Sequence, residues 1–83
     1  MYEIIFSDKA KKQFLKLEKS IQERIGAALE RVKIRPEHFL EKLVGEQGYK
    51  LRVGDYRLFL ELNDSQLVIL VLKLGHRRNF YKN

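Results

Sequence analysis

The sequence predicts a small α+β domain in the order β-α-α-β-β-β, with a twisted, mainly antiparallel four-stranded sheet and an αα-hairpin packed on one face. Three observations predict it. Apolar residues recur at helical spacing before residue 35, apolar and polar residues then alternate at 49–53 and 56–62, and residues 66–74 are nearly continuously apolar. The 83 residues contain no evident linker or repeat, so we expect one domain over residues 1–83.

The first strand and the first helix are predicted near the N-terminus. Residues 2–6 (YEIIF) combine isoleucine with aromatic side chains, which is typical of a short strand. Ser7 then offers an N-cap for a helix. Ala10, Phe14 and Leu17 follow at positions i, i+4 and i+7, so they share one apolar helical face.

A second helix follows at once. Residues 20–23 (SIQE) match a capping box, which predicts that the helix begins there. Its apolar stripe consists of Ile21, Ile25, Ala28, Leu29 and Val32. Pro36 disfavours helix beyond Arg35. The two helices therefore form an antiparallel hairpin with a short connection.

A β-hairpin is predicted around a two-residue turn at 54–55, because Gly-X suits such a turn. That turn would place Arg52 directly opposite Arg57 and Lys50 opposite Phe59, on the face away from the helices. Like charges directly opposite each other destabilise a sheet by a few tenths to about 1 kcal/mol. A solvated face would normally mix acidic residues among these cations, and we expect no clear carboxylate among them.

The end of the chain adds to this group. The last strand runs antiparallel to residues 56–62, so the following GHRRNFYKN returns to the neighbourhood of the turn. We expect one corner to collect Lys50, Arg52, Arg57, His76, Arg77, Arg78 and Tyr81. Such a cluster suits a site that binds phosphate and stabilises negative charge. The aromatic rings of Phe59, Phe80 and Tyr81 are candidates for stacking on bases.

Ordinary structural roles are open for the same residues. The two arginines of the hairpin also fit a solvated sheet face, and a histidine after a strand is most often a surface residue. Phe80 also fits an anchor for the C-terminal tail. The functional interpretation depends on the convergence of these residues rather than on any one of them.

The charge balance points to a polyanionic partner. The net charge is +6, and it is uneven. Residues 1–46 contain ten Lys and Arg against eight Asp and Glu, whereas residues 47–83 contain seven against three. A basic excess suggests nucleic acid or an acidic protein as partner, although a purely solubilising charge is the alternative.

Several classes of site have no support in the sequence. The chain has no cysteine and two distant histidines, which makes a zinc site unexpected. It has no phosphate-binding glycine motif, and its basic half has few carboxylates for metal-dependent phosphodiester cleavage. We expect no cofactor and no metal. The longest apolar run, LVILVL, is far shorter than the roughly 20 residues that span a bilayer, so we expect a cytoplasmic protein.

The block YKLRVGDYRLFLEL at 49–62, the ending VLKLGHRRNFYK at 71–82 and the order of the elements closely resemble the RelE/ParE superfamily of toxins, and most of all the RelE-type mRNA interferases. The resemblance covers essentially the whole chain. It implies a toxin of a type II toxin–antitoxin pair that enters the ribosomal A site and cuts messenger RNA without a metal. It also implies a small RelB-like antitoxin as partner, besides the ribosome and mRNA.

Carried over residue by residue, the resemblance implies a catalytic set. Lys50 matches a lysine on the nucleophile side, Arg57 an arginine that holds the scissile phosphate, and Arg77 an arginine that acts as general acid or stabilises charge. Tyr81 lies roughly where the family has a tyrosine that orients or deprotonates the 2′-hydroxyl. A lysine that some members carry two residues before Lys50 is replaced by Gly48.

Histidine titrates closer to neutral pH than arginine, and on that ground our hypothesis is that His76 supports or supplies the general acid. The residues expected to contact RNA beyond the catalytic set are Arg52, Phe59, Arg78, Phe80 and Lys82.

Two other functions stay open. A ParE-like toxin would poison DNA gyrase without cutting RNA, although such members generally lack the paired lysine and arginine set. A non-catalytic domain that binds RNA or the ribosome is the third.

Overall fold

The computed structural model describes residues 1–80, and the side chains of residues 1–78. In chain order the elements are β1 (Glu3–Phe6), α1 (Asp8–Leu15), α2 (Lys19–Ile34), α3 (Pro36–Phe39), β2 (Glu41–Lys42), β3 (Tyr49–Val53), β4 (Tyr56–Asn63), β5 (Val68–His76) and α4 (Arg77–Phe80). The strands form one sheet in the order β1-β5-β4-β3-β2. Only β1 and β5 pair in parallel. The predicted fold class is confirmed.

The sheet has five strands rather than the predicted four. The extra strand, β2, has two residues, with Glu41 opposite Lys50 and Lys42 opposite Tyr49. A two-residue strand is too short to produce an alternating pattern, so the sequence did not reveal it.

The helix pair begins as predicted but joins differently. The hydroxyl oxygen of Ser7 accepts a hydrogen bond from the backbone N–H of Ala10 at 3.0 Å, which confirms the predicted N-cap. The predicted capping box at 20–23 is wrong. Helix α2 begins at Lys19, two residues before the first helical residue that a Ser20 N-cap implies, and its N-cap residue Glu18 makes no side-chain cap hydrogen bond.

The side chain of Gln22 makes a different connection from the one expected in a capping box. Its amide nitrogen donates to the backbone carbonyls of Phe14 at 3.0 Å and Leu17 at 3.2 Å. These oxygens belong to the end of α1 and the connection after it, and the Phe14 oxygen also accepts from the backbone N–H of Leu17 at 3.1 Å. Gln22 therefore ties the end of α1 to α2. Pro36 follows the end of α2, as predicted, and begins α3.

The core lies between the helices and one face of the sheet. Helix α2 contributes Ile25, Ala28, Leu29 and Val32, helix α1 contributes Ala10, and the sheet contributes Leu51, Leu58, Leu60, Ile69, Val71 and Leu74. In the part of the chain that the structure describes, no buried polar side-chain atom lacks a partner. No helix in that part is long and apolar enough to cross a membrane.

An irregularity in β5 changes which residues share a face of the sheet. Phe59 lies opposite Lys73, but the next residue, Leu60, lies opposite Val71, so Leu72 is an extra residue in β5. The alternation of side chains is shifted by one beyond this bulge. Val71 before it and Leu74 after it therefore both face the core.

Helix α1 and its N-cap satisfy the backbone around the bulge. The hydroxyl of Ser7 donates to the carbonyl oxygen of Leu72 at 2.7 Å. The side-chain oxygen of Gln13 accepts from the backbone N–H of Leu74 at 2.8 Å. Strand β1 pairs with β5 only as far as Val71. Beyond the end of β1, these two side chains replace the strand as hydrogen-bond partners of β5. The carbonyl of Leu72 and the N–H of Leu74 are therefore both hydrogen-bonded.

Candidate nucleic-acid interface

The basic face of the sheet is the face opposite the core, and it carries Lys50, Arg52, Arg57, Phe59 and Lys73. Arg52 lies directly opposite Arg57 and Lys50 opposite Phe59, which confirms the predicted register. Arg52 is exposed, and the other four are half-buried. Two guanidinium groups paired across strands repel each other, and a bound anion would relieve that repulsion.

The guanidinium of Arg57 is held at the hairpin turn. Its Nη1 atom donates to the backbone carbonyls of Gly54 and Tyr56, both at 3.2 Å. Across the sheet Arg57 faces Gly75. A Cβ atom at Gly75 would meet nothing within 4 Å, so the space beside Arg57 is open. The arrangement orients the guanidinium and leaves room for an anion next to it.

Lys73 is a cation of the basic face that sequence reasoning missed. It lies opposite Phe59 because the bulge in β5 shifts the alternation of side chains. The sequence does contain a signal for the position of Lys73, because it is the only charged residue within QLVILVLKL at 66–74. A single lysine in an otherwise apolar strand indicates that one face of that strand reaches solvent at this point.

Helix α4 begins at the same turn that holds Arg57. The backbone N–H of Arg77 donates to the carbonyl oxygen of Asp55 at 2.7 Å. Arg77 and Arg78 are both exposed. The predicted return of the chain end to the hairpin turn is therefore confirmed for these two arginines, and Arg57 and Arg77 are anchored on neighbouring carbonyls.

The expectation that His76 shares the corner with Arg57 is wrong. His76 lies opposite Tyr56, on the face of the sheet that carries the core, whereas Arg57 is on the other face. Strand β5 continues through His76, which fixes the side chain on one face of the sheet, and the bulge at Leu72 determines that face because it changes the parity of every later residue in β5. The imidazole Nδ1 accepts a hydrogen bond from the backbone N–H of Arg78 at 3.1 Å. His76 therefore caps the first turn of α4.

A carboxylate does reach the basic face, contrary to expectation. Glu41 in β2 lies opposite Lys50, and its Oε2 is 3.8 Å from Lys50 Nζ. The Glu41 side chain is 75% exposed, so the ion pair is a surface contact of small energy. The pair orients the lysine without neutralising the arginines nearby.

The ring of Phe59 explains the glycine at position 48. Gly48 has φ of 113°, and a Cβ atom there would lie 2.5 Å from Phe59 Cε1. The Cβ atom of any other residue would collide with the ring. The positive φ is also a backbone conformation that residues with a side chain rarely adopt. Gly48 replaces a lysine that some members of the resembled family carry. The position of the Phe59 ring on the basic face explains why a side chain does not fit there.

Three predictions from the sequence fall outside what the structure describes. They concern the side chain of Phe80 and the residues Tyr81 and Lys82. Among the described residues, no group of three or more His, Cys, Asp or Glu side chains has the geometry to hold a metal ion.

Comparison with known sequences gives two matches. The family model of the ParE toxin of type II toxin–antitoxin systems matches residues 4–81. A RelE-like toxin protein of Escherichia coli is 33% identical over 79 residues, which cover 92% of this chain and 83% of the relative.

Solved structures give the same fold. A chain from the crystal structure of the intact E. coli RelBE toxin–antitoxin complex is 31% identical, with a TM-score of 0.79 over 92% of this chain and 96% of that one. The isolated E. coli RelE toxin is 28% identical, with a TM-score of 0.80 over 92% and 84%. A chain from the archaeal RelE–RelB complex of Pyrococcus horikoshii is 26% identical, with a TM-score of 0.75 over 92% and 94%.

Proposed function

The chain belongs to the ParE toxin family of type II toxin–antitoxin systems and is a RelE-like toxin, and from this membership we propose that it is a ribosome-dependent endoribonuclease that cuts messenger RNA in the A site. The observation that carries the proposal is the orientation of Arg57. Its guanidinium is fixed by two turn carbonyls beside an open space. A planar guanidinium in that position suits a phosphodiester.

The proposed reaction is a transfer within the RNA backbone. The 2′-oxygen of a nucleotide attacks the adjacent phosphorus, and the bond from phosphorus to the 5′-oxygen of the next nucleotide breaks. The products are a 2′,3′-cyclic phosphate and a 5′-hydroxyl. One proton leaves the 2′-hydroxyl and another is delivered to the departing 5′-oxygen, so the reaction needs no external redox partner and consumes no water.

The residues divide these tasks. Arg57 binds the scissile phosphate and stabilises the charge that develops on it. Arg77, anchored at Asp55, stabilises the departing oxygen or supplies its proton. Lys50, oriented by Glu41, acts on the side of the nucleophile. Tyr81 orients or deprotonates the 2′-hydroxyl.

His76 supports this set rather than joining it. Its Nδ1 accepts from the N–H of Arg78, so we assign it the positioning of the turn that carries Arg77. Arg52, Phe59 and Lys73 lie around the scissile phosphate and contact the flanking RNA. Arg78, Phe80 and Lys82 are further residues proposed to contact RNA.

The open shape of the basic face fits the need for a ribosome. An exposed sheet surface offers few contacts that would hold a flexible single strand in the geometry of in-line attack. Bringing reacting groups into such geometry is worth several kcal/mol of barrier. In the proposed function the ribosome holds the message, and the toxin supplies the charges.

A small acidic antitoxin is the proposed partner. The similar E. coli structure is a RelBE toxin–antitoxin complex, and the similar P. horikoshii structure is a RelE–RelB complex. The net charge of +6 favours an acidic segment that covers the basic face. A disordered chain that folds on binding would also cover the large surface required.

Poisoning of DNA gyrase is the second candidate function. It is favoured by one observation, the match of the ParE toxin family to residues 4–81. The presence of Lys50, Arg57 and Arg77 together favours RNA cleavage, because a toxin that acts by binding gyrase has no need for a phosphate-cleaving set.

The decisive experiment uses ribosomes that carry a defined mRNA with an empty A site. The 5′ ends of the message are mapped by primer extension after addition of the protein. We expect a cut within the A-site codon that is lost with Arg57→Ala/Arg77→Ala and kept with Lys12→Ala/Lys16→Ala, a charge-matched pair in the last turn and at the C-cap of α1. An intact message in the presence of wild type would reject the proposal, and DNA cleavage by gyrase would then be measured.

A further inference from the structure

A second cluster of arginines lies beyond the basic face, where α2 passes the outer edge of β3. A cleft of about 340 Å³ there is lined by Arg24, Ala27, Ala28, Arg31, Arg52, Val53 and Gly54. Arg24 and Arg31 are two helical turns apart and flank the buried side of α2. Arg52 belongs to both the cleft and the basic face, so the two surfaces are continuous.

Among the side chains that the structure describes, no acidic group forms an ion pair with the guanidinium groups of this cleft. No carboxylate is among the residues that line it. Among the described side chains, the ion pairs of Lys33 with Glu30 and of Lys50 with Glu41 involve none of these arginines. The three arginines are exposed. Three cations that converge without a counterion raise the local potential and favour an anion between them.

Two features of the local structure keep the cleft open. Strand β2 pairs only with Tyr49 and Lys50, so it does not cover the end of β3. Gly54 has φ of 59°, and a Cβ atom there would lie 2.7 Å from Arg24 Nη2. The guanidinium of Arg24 therefore lies directly over the hairpin turn that holds Arg57.

The lining favours phosphates over a protein segment. Protein partners gain most of their affinity from large apolar or aromatic groups that fill pockets. The apolar part of this cleft consists of two alanines and Val53, which offer no such pocket. Guanidinium groups, in contrast, bind phosphate in a bidentate manner and do not need apolar anchors.

We propose that Arg24, Arg31 and Arg52 form a second RNA-binding site, which takes the phosphodiester backbone of an RNA segment that passes over the edge of β3. The choice of RNA rests on the proposed function, in which the protein works on a surface made of RNA. The site is separate from the scissile phosphate at Arg57. Its role is to bind and orient the toxin, with no chemical step.

The test measures binding to a fluorescein-labelled RNA duplex of mixed sequence over a range of salt concentrations. The variants are Arg24→Ala/Arg31→Ala, each single substitution, and the control pair Lys12→Ala/Lys16→Ala. Loss of one phosphate contact lowers the slope of log affinity against log salt by about 1, so we expect the double variant to lower it by about 2. The Arg31→Ala variant guards against misfolding, since Arg31 does not lie over the turn, and thermal unfolding is measured for all proteins.

Three outcomes would overturn the site. The first is a wild-type slope in the double variant, and the second is an equal drop in the control pair. Poly-glutamate serves as a second probe, which stands for an acidic protein segment. The third outcome is a double variant that loses binding to poly-glutamate while its binding to RNA is unchanged, and it would assign the cleft to such a segment. The A-site cleavage assay is run separately on wild type. If the message stays intact while the slope falls by about 2, the proposed function fails and the second site stands.

Discussion

The rings of His76 and Tyr56 meet edge to face, with centroids 5.4 Å apart and planes at 80°, on the opposite side of the sheet from Arg57. The Tyr56 ring holds the imidazole so that Nδ1 accepts the backbone N–H of Arg78. That hydrogen bond requires Nδ1 without a proton. The pair therefore connects the hairpin turn to the first turn of α4, where the two exposed arginines lie.

The first prediction tests whether His76 positions α4 or transfers a proton. We expect His76→Ala to lower A-site cleavage roughly fivefold, because loss of a helix cap costs about 1 kcal/mol. His76→Asn is expected to restore most of the activity, since the amide oxygen is a good cap acceptor. Cleavage rates on programmed ribosomes measure both variants. Losses of 10²–10⁴ in both would instead identify His76 as the proton donor.

The second prediction concerns the cost of the paired arginines. Arg52→Thr removes a like-charge pair with Arg57. We expect the free energy of unfolding to rise by a few tenths to about 1 kcal/mol, while affinity for RNA falls. Urea unfolding at low and high salt measures the stability. The gain should shrink at high salt, because salt screens the repulsion that the substitution removes. A loss of stability, or a gain that salt leaves unchanged, would contradict the repulsion.

The hairpin of the basic face is the part of the site that was predicted in full. Two signals agree there: the alternation of residues 49–53 and 56–62, and a Gly-Asp turn of two residues. A two-residue turn determines which residues face each other, and the alternation then determines the face. For this reason the sequence alone is sufficient to pair Arg52 with Arg57.

The position of His76 was not predictable in the same way. Whether His76 lies on the basic face or the core face depends on one extra residue, Leu72, in a strand whose sequence is almost uniformly apolar. In such a strand no alternation marks the bulge. What stabilises it is distant in sequence, namely hydrogen bonds from Ser7 and to Gln13. The same long-range effect brought Lys73 to the basic face.

The third prediction tests the support of the bulge by α1. Gln13→Ala removes the acceptor for the N–H of Leu74, a residue that is 2% exposed. An unpaired buried donor costs about 1–3 kcal/mol, and we expect the free energy of unfolding to fall by that amount. Lys12→Ala, an exposed neighbour on the same helix, is the control and should change stability by less than about 0.5 kcal/mol. Equal effects of the two substitutions would show that the bulge does not depend on Gln13.

The fourth prediction is a pH dependence that comes from Tyr2. Its hydroxyl donates to Asp64 Oδ1 at 2.6 Å, and this hydrogen bond, with smaller contributions from desolvation and from nearby acidic groups, raises the pKa of Tyr2. Because the folded-state pKa lies above the unfolded value, the stabilisation is complete below the unfolded value of about 10 and is lost as the pH rises through the folded value. We expect the stability difference between wild type and Tyr2→Phe to be constant at neutral pH and to decline above pH about 10.

Asp64→Asn removes the carboxylate and should weaken the decline. Urea midpoints measured against pH decide the matter, and a difference that stays constant through the alkaline range would show that the hydrogen bond contributes nothing to folding.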